Sequence, residues 1–212
     1  MSKFKKAKLP NSVYKNNNYL KVTYSGISKL LYYFNHKLLD LNIPEFYNEH
    51  IIEIGGGAEQ HLKYMKSKKI KSYTVVDSKI FKNKVLNLNK KYQNIEVKFL
   101  DYKKINVLDN KLKYSRLIAS HSFEHFENFE NNFLKLMPMM KKKSILSIGL
   151  PCDPGISWRF LQFISYFNQK RLYEWGSLRE KDLDDARDHV ISAQNIFKFI
   201  RFYFFKIKKI YF

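Results

Sequence analysis

Three consecutive glycines, Gly55, Gly56 and Gly57, follow an apolar run that ends in Glu53 and Ile54, within the stretch IIEIGGGAE. A glycine turn at a strand end lets the backbone take positive φ and lie close to a ligand with no Cβ in the way. In open α/β sheets ligands bind there, beyond the carboxyl ends of the strands. A second apolar run, SYTVVD, closes on Asp77. An acidic residue about twenty positions past such a turn is the ribose-binding signature of nucleoside-binding α/β folds, its carboxylate accepting both hydroxyl protons. The alternative role is a strand-end Asp that caps the next helix. The chemistry these residues point to is nucleoside recognition.

Strands and helices must alternate to hold such residues in place, and the hydrophobic pattern predicts that they do. Residues 1–19 are polar and rich in Lys and Asn, and read as a loose arm. From Tyr19 to Leu41, Ile27, Leu30, Leu31, Phe34, Leu38 and Leu41 recur at helical spacing, predicting a cover helix that Pro44 ends. After the glycines, a helix is expected over Ala58–Lys66 with Leu62 and Met65 turned inward. Strand 72–77, a lysine-rich helix over 83–92 and the strand IEVKFLD, ending at Asp101, come next. The strand SRLIASHS, a helix through Phe126, Phe129, Phe133 and Leu136, and the strand SILSIGLP complete the series. This alternation predicts an α/β fold: a Rossmann-like, doubly wound, mostly parallel sheet with helices on both faces. No internal repeat is visible.

The chain of 212 residues is long enough for a substantial core, and its 45% hydrophobic and 17% aromatic content argues against wholesale disorder. A single cysteine, Cys152, excludes an internal disulfide and suits a reducing compartment. The basic start MSKFKKAKLP leads into no apolar signal core, and no apolar run approaches the roughly 20 residues that span a bilayer. A cytoplasmic protein is the expectation. The formal charge of +20 would attract nucleic acid, yet the lysines are scattered among Asn, Ile, Tyr and Phe. Such a mixture fits an AT-rich coding bias better than a built phosphate-binding face. Downstream, the stretch SAQNIFKFIRFYFFKIKKIYF, residues 192–212, contains no acidic residue and mixes aromatics with Lys and Arg. Ile196, Phe197, Ile200, Phe204 and Ile207 are expected to form one buried helix face, leaving Phe199, Phe202, Tyr203 and Phe205 for a partner or a membrane surface.

The ordered succession IIEIGGGAE, YTVVDS, FLDY, LIASHSFEHF and ILSIGLP resembles the motifs of class I S-adenosylmethionine-dependent methyltransferases, across about residues 50–151. It is similar to the small-molecule branch. Glu59 stands where the glycine motif usually carries its third glycine. The resemblance implies S-adenosylmethionine as cofactor and assigns roles to particular residues. Glu53 would lie near the methionine end, and Gly55, Gly56 and Gly57 would pass beneath the sulfonium and ribose. Asp77, followed by Ser78, would bind the ribose hydroxyls, and Asp101 would accept from the adenine amino group with Tyr102 or Leu100 against the ring. Ser120 and His121 would face the transferred methyl. His121 is also the candidate catalytic base, because imidazole titrates near neutrality. Glu124 and His125 would support the following helix. A divalent-metal cluster of His121, Glu124 and His125 with the downstream His189 is the weaker reading, and no metal is expected.

The resemblance divides the chain into an N-terminal arm and cover helix at 1–49 and a methyltransferase domain at 50–212. That domain would carry an inserted acceptor-side segment at about 152–190, with Trp158, Arg159, Arg187 and His189 as candidates for its pocket. Family members usually continue into a final hairpin of strands, so the C-terminal strands here are expected to be abbreviated or truncated. The implied activity is methyl transfer to a small polar acceptor, as in O-methylation of a sugar or related metabolite. RNA methylation, a non-catalytic nucleoside- or partner-binding module, and an NAD-dependent oxidoreductase that would use Asp77 in the same way are the alternatives.

Overall fold

The computed structural model describes residues 26–67, 69–107, 112–126, 128–150, 163–164, 166–167, 177–178 and 191–203. The chain forms two compact units, Tyr33–Pro151 with Val190–Phe212, and Met1–Tyr32 with Cys152–His189. In the smaller unit the described rings of Phe163 and Phe167 meet edge-on at 4.8 Å. Trp158, Arg159, Arg187 and His189, and the C-terminal Phe204, Phe205 and Ile207, lie outside the described residues.

The larger unit is built on five parallel strands: β1 (His50–Ile54), β2 (Ser72–Asp77), β3 (Glu96–Asp101), β4 (Tyr114–Ser120) and β5 (Met140–Gly149). Their order is β3-β2-β1-β4-β5. The direction of winding reverses between β1 and β4, so the crevice at their carboxyl ends is the switch point of a doubly wound sheet. The apolar runs form strands because parallel strands are covered on both faces. Alternate side chains supply two cores. Ile52, Ile54, Leu117 and Ala119 face Phe123, Phe129, Phe133, Leu136 and Ile196. Ile51, Tyr73, Val75, Val97 and Ile118 face Leu62, Val85 and Leu88 on the other side.

The first core is covered by α4 (Phe129–Leu136) and α5 (Ala193–Tyr203), the second by α2 (Lys82–Leu86) and α3 (Leu88–Lys91). Phe129, Phe133 and Leu136 are buried as their spacing predicts, each such burial contributing about 1.5–3 kcal/mol. In α5 Ile196 is fully buried, but Phe199 departs from expectation. Its ring packs edge-on against Phe129 and Phe133 at 5.3 and 5.6 Å, while Phe202 remains 76% exposed. β5 begins at Met140, ahead of the expected Ser144, and a register irregularity opposite Tyr114–Arg116 accommodates the exposed Lys142 and Lys143.

Two expectations are corrected. No α-helix fills Ala58–Lys66; a single 3₁₀ turn at His61–Lys63 stands there, its first amides drawn down to side chains under the turn. The cover helix α1 (Gly26–Asp40) is present, but the stripe expected to be buried faces out: Leu30, Phe34 and Leu38 are each about half exposed, as is Leu41 beyond the helix. Of that stripe, the side chains of Ile27 and Leu31 lie outside the described residues. His36, Leu39 and Asp40 face inward instead. Burying a charge without a partner costs several kcal/mol, and the inward face of the helix supplies the Asp40 carboxylate to the buried Arg116.

Candidate functional site

At the tip of β1 the chain turns through Gly55, whose φ of +77° would strain any residue with a Cβ. A Cβ there would also collide with Ser122, whose hydroxyl donates to the Ile54 carbonyl at 2.8 Å. One added at Gly56 would overlap the Glu53 carboxyl, and one at Gly57 would stand 2.6 Å from both Asp77 and Phe81. The turn is therefore packed from three sides. Lys84 of α2 adds a hydrogen bond to the Ala58 carbonyl.

Glu53 lies beneath this turn, only 1% exposed. Its Oε1 accepts the His61 amide at 2.9 Å, and its Oε2 accepts the Tyr73 hydroxyl at 2.7 Å. The Tyr73 oxygen in turn accepts the Leu62 amide at 3.1 Å. Both carboxylate oxygens thus hold the protein's own donors and fasten the segment after the glycines to the sheet. Burial raises the Glu53 carboxyl to about 8, outweighing the two hydrogen bonds that favour its charged form. The raised value means that the folded state keeps a proton that the unfolded state releases above its ordinary 4.5. Stability should therefore fall as pH rises from 4.5 toward 8, with a slope approaching about 1.4 kcal/mol per pH unit. Urea unfolding across that range should show this component in the native chain and lose it in Glu53→Gln.

The next strand tips line up beside the turn. Asp77 ends β2 and is paired in register with Asp101 at the end of β3. Asp77 Oδ2 accepts the Gly57 amide at 2.7 Å and Oδ1 the Ser78 amide at 2.5 Å. Burial raises its carboxyl, and these two bonds oppose that shift. Ser78 caps the following 3₁₀ turn by position alone, without a side-chain bond. Asp101 accepts the Lys103 amide at 3.1 Å, and the neighbouring Tyr102 ring is 43% exposed.

On the other side of the switch point, Ser120 ends β4 and pairs with Gly149 of β5. His121 follows with φ +48°, a left-handed conformation that is uncommon outside glycine. Its amide donates to the Gly149 carbonyl at 3.0 Å. Its Nε2 lies 2.9 Å from the side-chain nitrogen of Asn35 on α1, and its Nδ1 lies 3.8 Å from Glu124 Oε1. Glu124 is 2% exposed, and His125 Nε2 lies 3.9 Å from the same oxygen. Among the described residues no group of three or more His, Cys, Asp and Glu side chains converges as a metal site.

The arrangement of strands and helices is similar to that of solved structures. The plantazolicin methyltransferase BpumL in complex with SAH superposes with a TM-score of 0.59 at 18% identity, over 91% of this chain and 72% of that one. The fold is that of the S-adenosylmethionine-dependent methyltransferases. BpumL with a monoazolic desmethylPZN analog and SAH matches with the same score and coverage. The mitomycin 7-O-methyltransferase MmcR matches at 12% identity and a TM-score of 0.48, over 66% of this chain and 42% of its own. No protein-family model and no curated protein matches the sequence. No described helix is long and apolar enough to cross a membrane.

Within this methyltransferase fold, the second layer beneath the glycine turn was not foreseen from sequence. Arg116, in mid-β4 and fully buried, donates to Asp40 Oδ1 at 2.7 Å, Asn48 Oδ1 at 2.9 Å, the Leu39 carbonyl at 2.8 Å and Ser147 Oγ at 3.0 Å. His61 Nε2 reaches the same Asp40 oxygen at 3.1 Å, and its Nδ1 lies 2.8 Å from His36 Nδ1. Since Asp40 can only accept, His61 donates through Nε2 and receives the His36 proton at Nδ1. Burial keeps both imidazoles neutral, holding His36 down to about 3. His36 also stacks on Tyr64 at 4.3 Å. The one readable signal was an arginine inside the apolar run SRLIAS.

Proposed function

We propose that the chain is an S-adenosylmethionine-dependent methyltransferase whose cofactor lies across the tips of β1–β4 and whose acceptor is a small polar molecule. The observation that carries this reading is the alignment of the glycine turn, Asp77, Asp101 and Ser120–His121 along one edge of the sheet at its switch point. The donor set fits an adenosine. Each Asp77 oxygen has given one lone pair to a backbone amide and retains another for a ribose hydroxyl. Asp101, with the exposed Tyr102 ring beside it, suits an adenine amino group and its face. The fold's association with SAH-bound structures points the same way.

The cofactor would supply an activated methyl on a sulfonium, so the protein's task is in-line positioning and proton removal. Gly55, Gly56 and Gly57 keep the backbone close, and Ser78 lies beside the ribose carboxylate. Ser120 lines the crevice near the transferred group. His121 would take the proton that the acceptor's hydroxyl gives up on methylation. Glu53 acts from below, through the turn it fastens, because its oxygens are engaged by Tyr73 and His61. The acceptor side is assigned to the segment at about 152–190, with 1–49 as arm and cover helix.

Calorimetry tests this reading directly. S-adenosylhomocysteine should bind the purified chain with measurable heat and NAD should give none. Heat from NAD alone, or from neither nucleotide at millimolar concentration, overturns it.

A further inference from the structure

We infer that Asn35, on the helix that precedes the sheet, is the positioning residue that sets the tautomer of His121; the inference rests on the reading of His121 as the base. The geometry around the ring is asymmetric. The Glu124 carboxylate, 2% exposed, lies 3.8 Å from Nδ1, and a carboxylate favours a proton on the nitrogen that faces it. Nε2 then carries the lone pair, and the Asn35 amide nitrogen, 2.9 Å away, is placed to donate to it. The backbone contributes as well. His121 is held at φ +48° with its amide tied to Gly149, a conformation of a kind concentrated at functional sites. Among the described residues, Asn35 faces Nε2 and Glu124 faces Nδ1, the His36 imidazole is near enough to interact electrostatically with the ring, and His125 shares the Glu124 oxygen.

This arrangement answers a requirement of the chemistry. A base that accepts from an acceptor hydroxyl needs its lone pair on the nitrogen facing the crevice, whereas a free neutral imidazole distributes its proton between both nitrogens. Asn35 holds the lone pair at Nε2 by donating to it, and an incoming hydroxyl takes over that position as donor. The released amide keeps a carbonyl and two N–H groups with which to hold the same hydroxyl or its neighbour. The acceptor class this selects is a hydroxyl-bearing molecule. Asn35 is anchored for this task by the adjacent His36, which is fixed against His61 and Tyr64.

The test is nitrogen-15 NMR of the His121 ring in the full chain, with the resonance assigned by its loss in His121→Gln. The native ring should show Nδ1 protonated and Nε2 bare at a pH where it is neutral. Asn35→Ala should shift both nitrogens toward averaged values, and Asn35→Asp, whose carboxylate accepts, should move the proton to Nε2. Both replacements are compatible with a helix, and amide spectra of each variant report its folding. Identical His121 nitrogen shifts in the native chain and both variants overturn the role of Asn35. Calorimetry with S-adenosylhomocysteine on the same samples separates the two ideas: absence of heat in the native chain removes the methyltransferase reading, and heat with unmoved shifts removes only Asn35.

Discussion

Asp40→Ala will lower the unfolding free energy by about 3 kcal/mol, measured by urea denaturation at neutral pH. The variant leaves the Arg116 guanidinium inside the protein without its carboxylate. Removing one member of a buried pair generally costs about 3–5 kcal/mol, and the lower end applies because Asn48, Ser147 and the Leu39 carbonyl still accept from Arg116. Asp40→Asn, which keeps an acceptor but no charge, should fall between. Asp40→Ala combined with Arg116→Met should recover much of the loss, since a buried ion pair replaced by apolar groups is often neutral. Acid supplies an independent check. Burial pushes the Asp40 carboxyl up, but the His61 hydrogen bond and the Arg116 charge outweigh it and leave it below its ordinary 3.8. His61 is itself held neutral by burial, so the lasting charge beside Asp40 is that of Arg116. A depressed folded value gives stability that is present above 3.8 and lost as pH falls through the folded value. The gap between native chain and Asp40→Ala should therefore hold at neutral pH and close in strong acid. A gap that stays constant to acid would mean the carboxylate does not neutralise Arg116.

The contrast between what was readable and what was not follows from how far each interaction reaches along the chain. The strands were legible because a parallel strand covered on both faces must be an apolar run; two runs ended where their strands end, at Asp77 and Asp101, while the fourth strand stops at Ser120, two residues before the end of SRLIASHS. The strand ends alone therefore place the candidate site residues at one end of the sheet. Helix faces were less readable. The spacing of Leu30, Phe34 and Leu38 marks a stripe but not the direction it faces, and the face of α1 that turns inward is the one that supplies Asp40 to a distant charge, Arg116. The missing helix at Ala58–Lys66 has the same origin: Glu53 and Tyr73 capture the amides of His61 and Leu62. Neither Tyr73 nor Asn35 stands out in its local sequence. Their partners, Glu53 and His121, are distant in the chain, and only the sheet order brings them together.

Asp77→Ala should abolish measurable binding of S-adenosylhomocysteine while leaving the chain folded. Two losses add at one point. The ribose hydroxyls lose their acceptors, and the Gly57 and Ser78 amides lose the carboxylate that now orders the turn. Hydrogen bonds to a charged group contribute about 1.5–3 kcal/mol each, so removing two lowers affinity by roughly 100-fold or more at about 1.4 kcal/mol per factor of ten. The fold itself should tolerate the change. Burial holds the Asp77 carboxyl above its ordinary 3.8, so its ionised form opposes folding at neutral pH, and removing it relieves that penalty as it loses the two amide bonds. Thermal unfolding of the variant should therefore stay within a few degrees of the native chain, in contrast to Asp40→Ala. Asp77→Asn isolates the cause: its amide keeps the shape but turns a donor toward the Gly57 or Ser78 amide, so its affinity should fall nearly as far. Retained affinity in Asp77→Ala would show that the nucleoside does not reach the tip of β2.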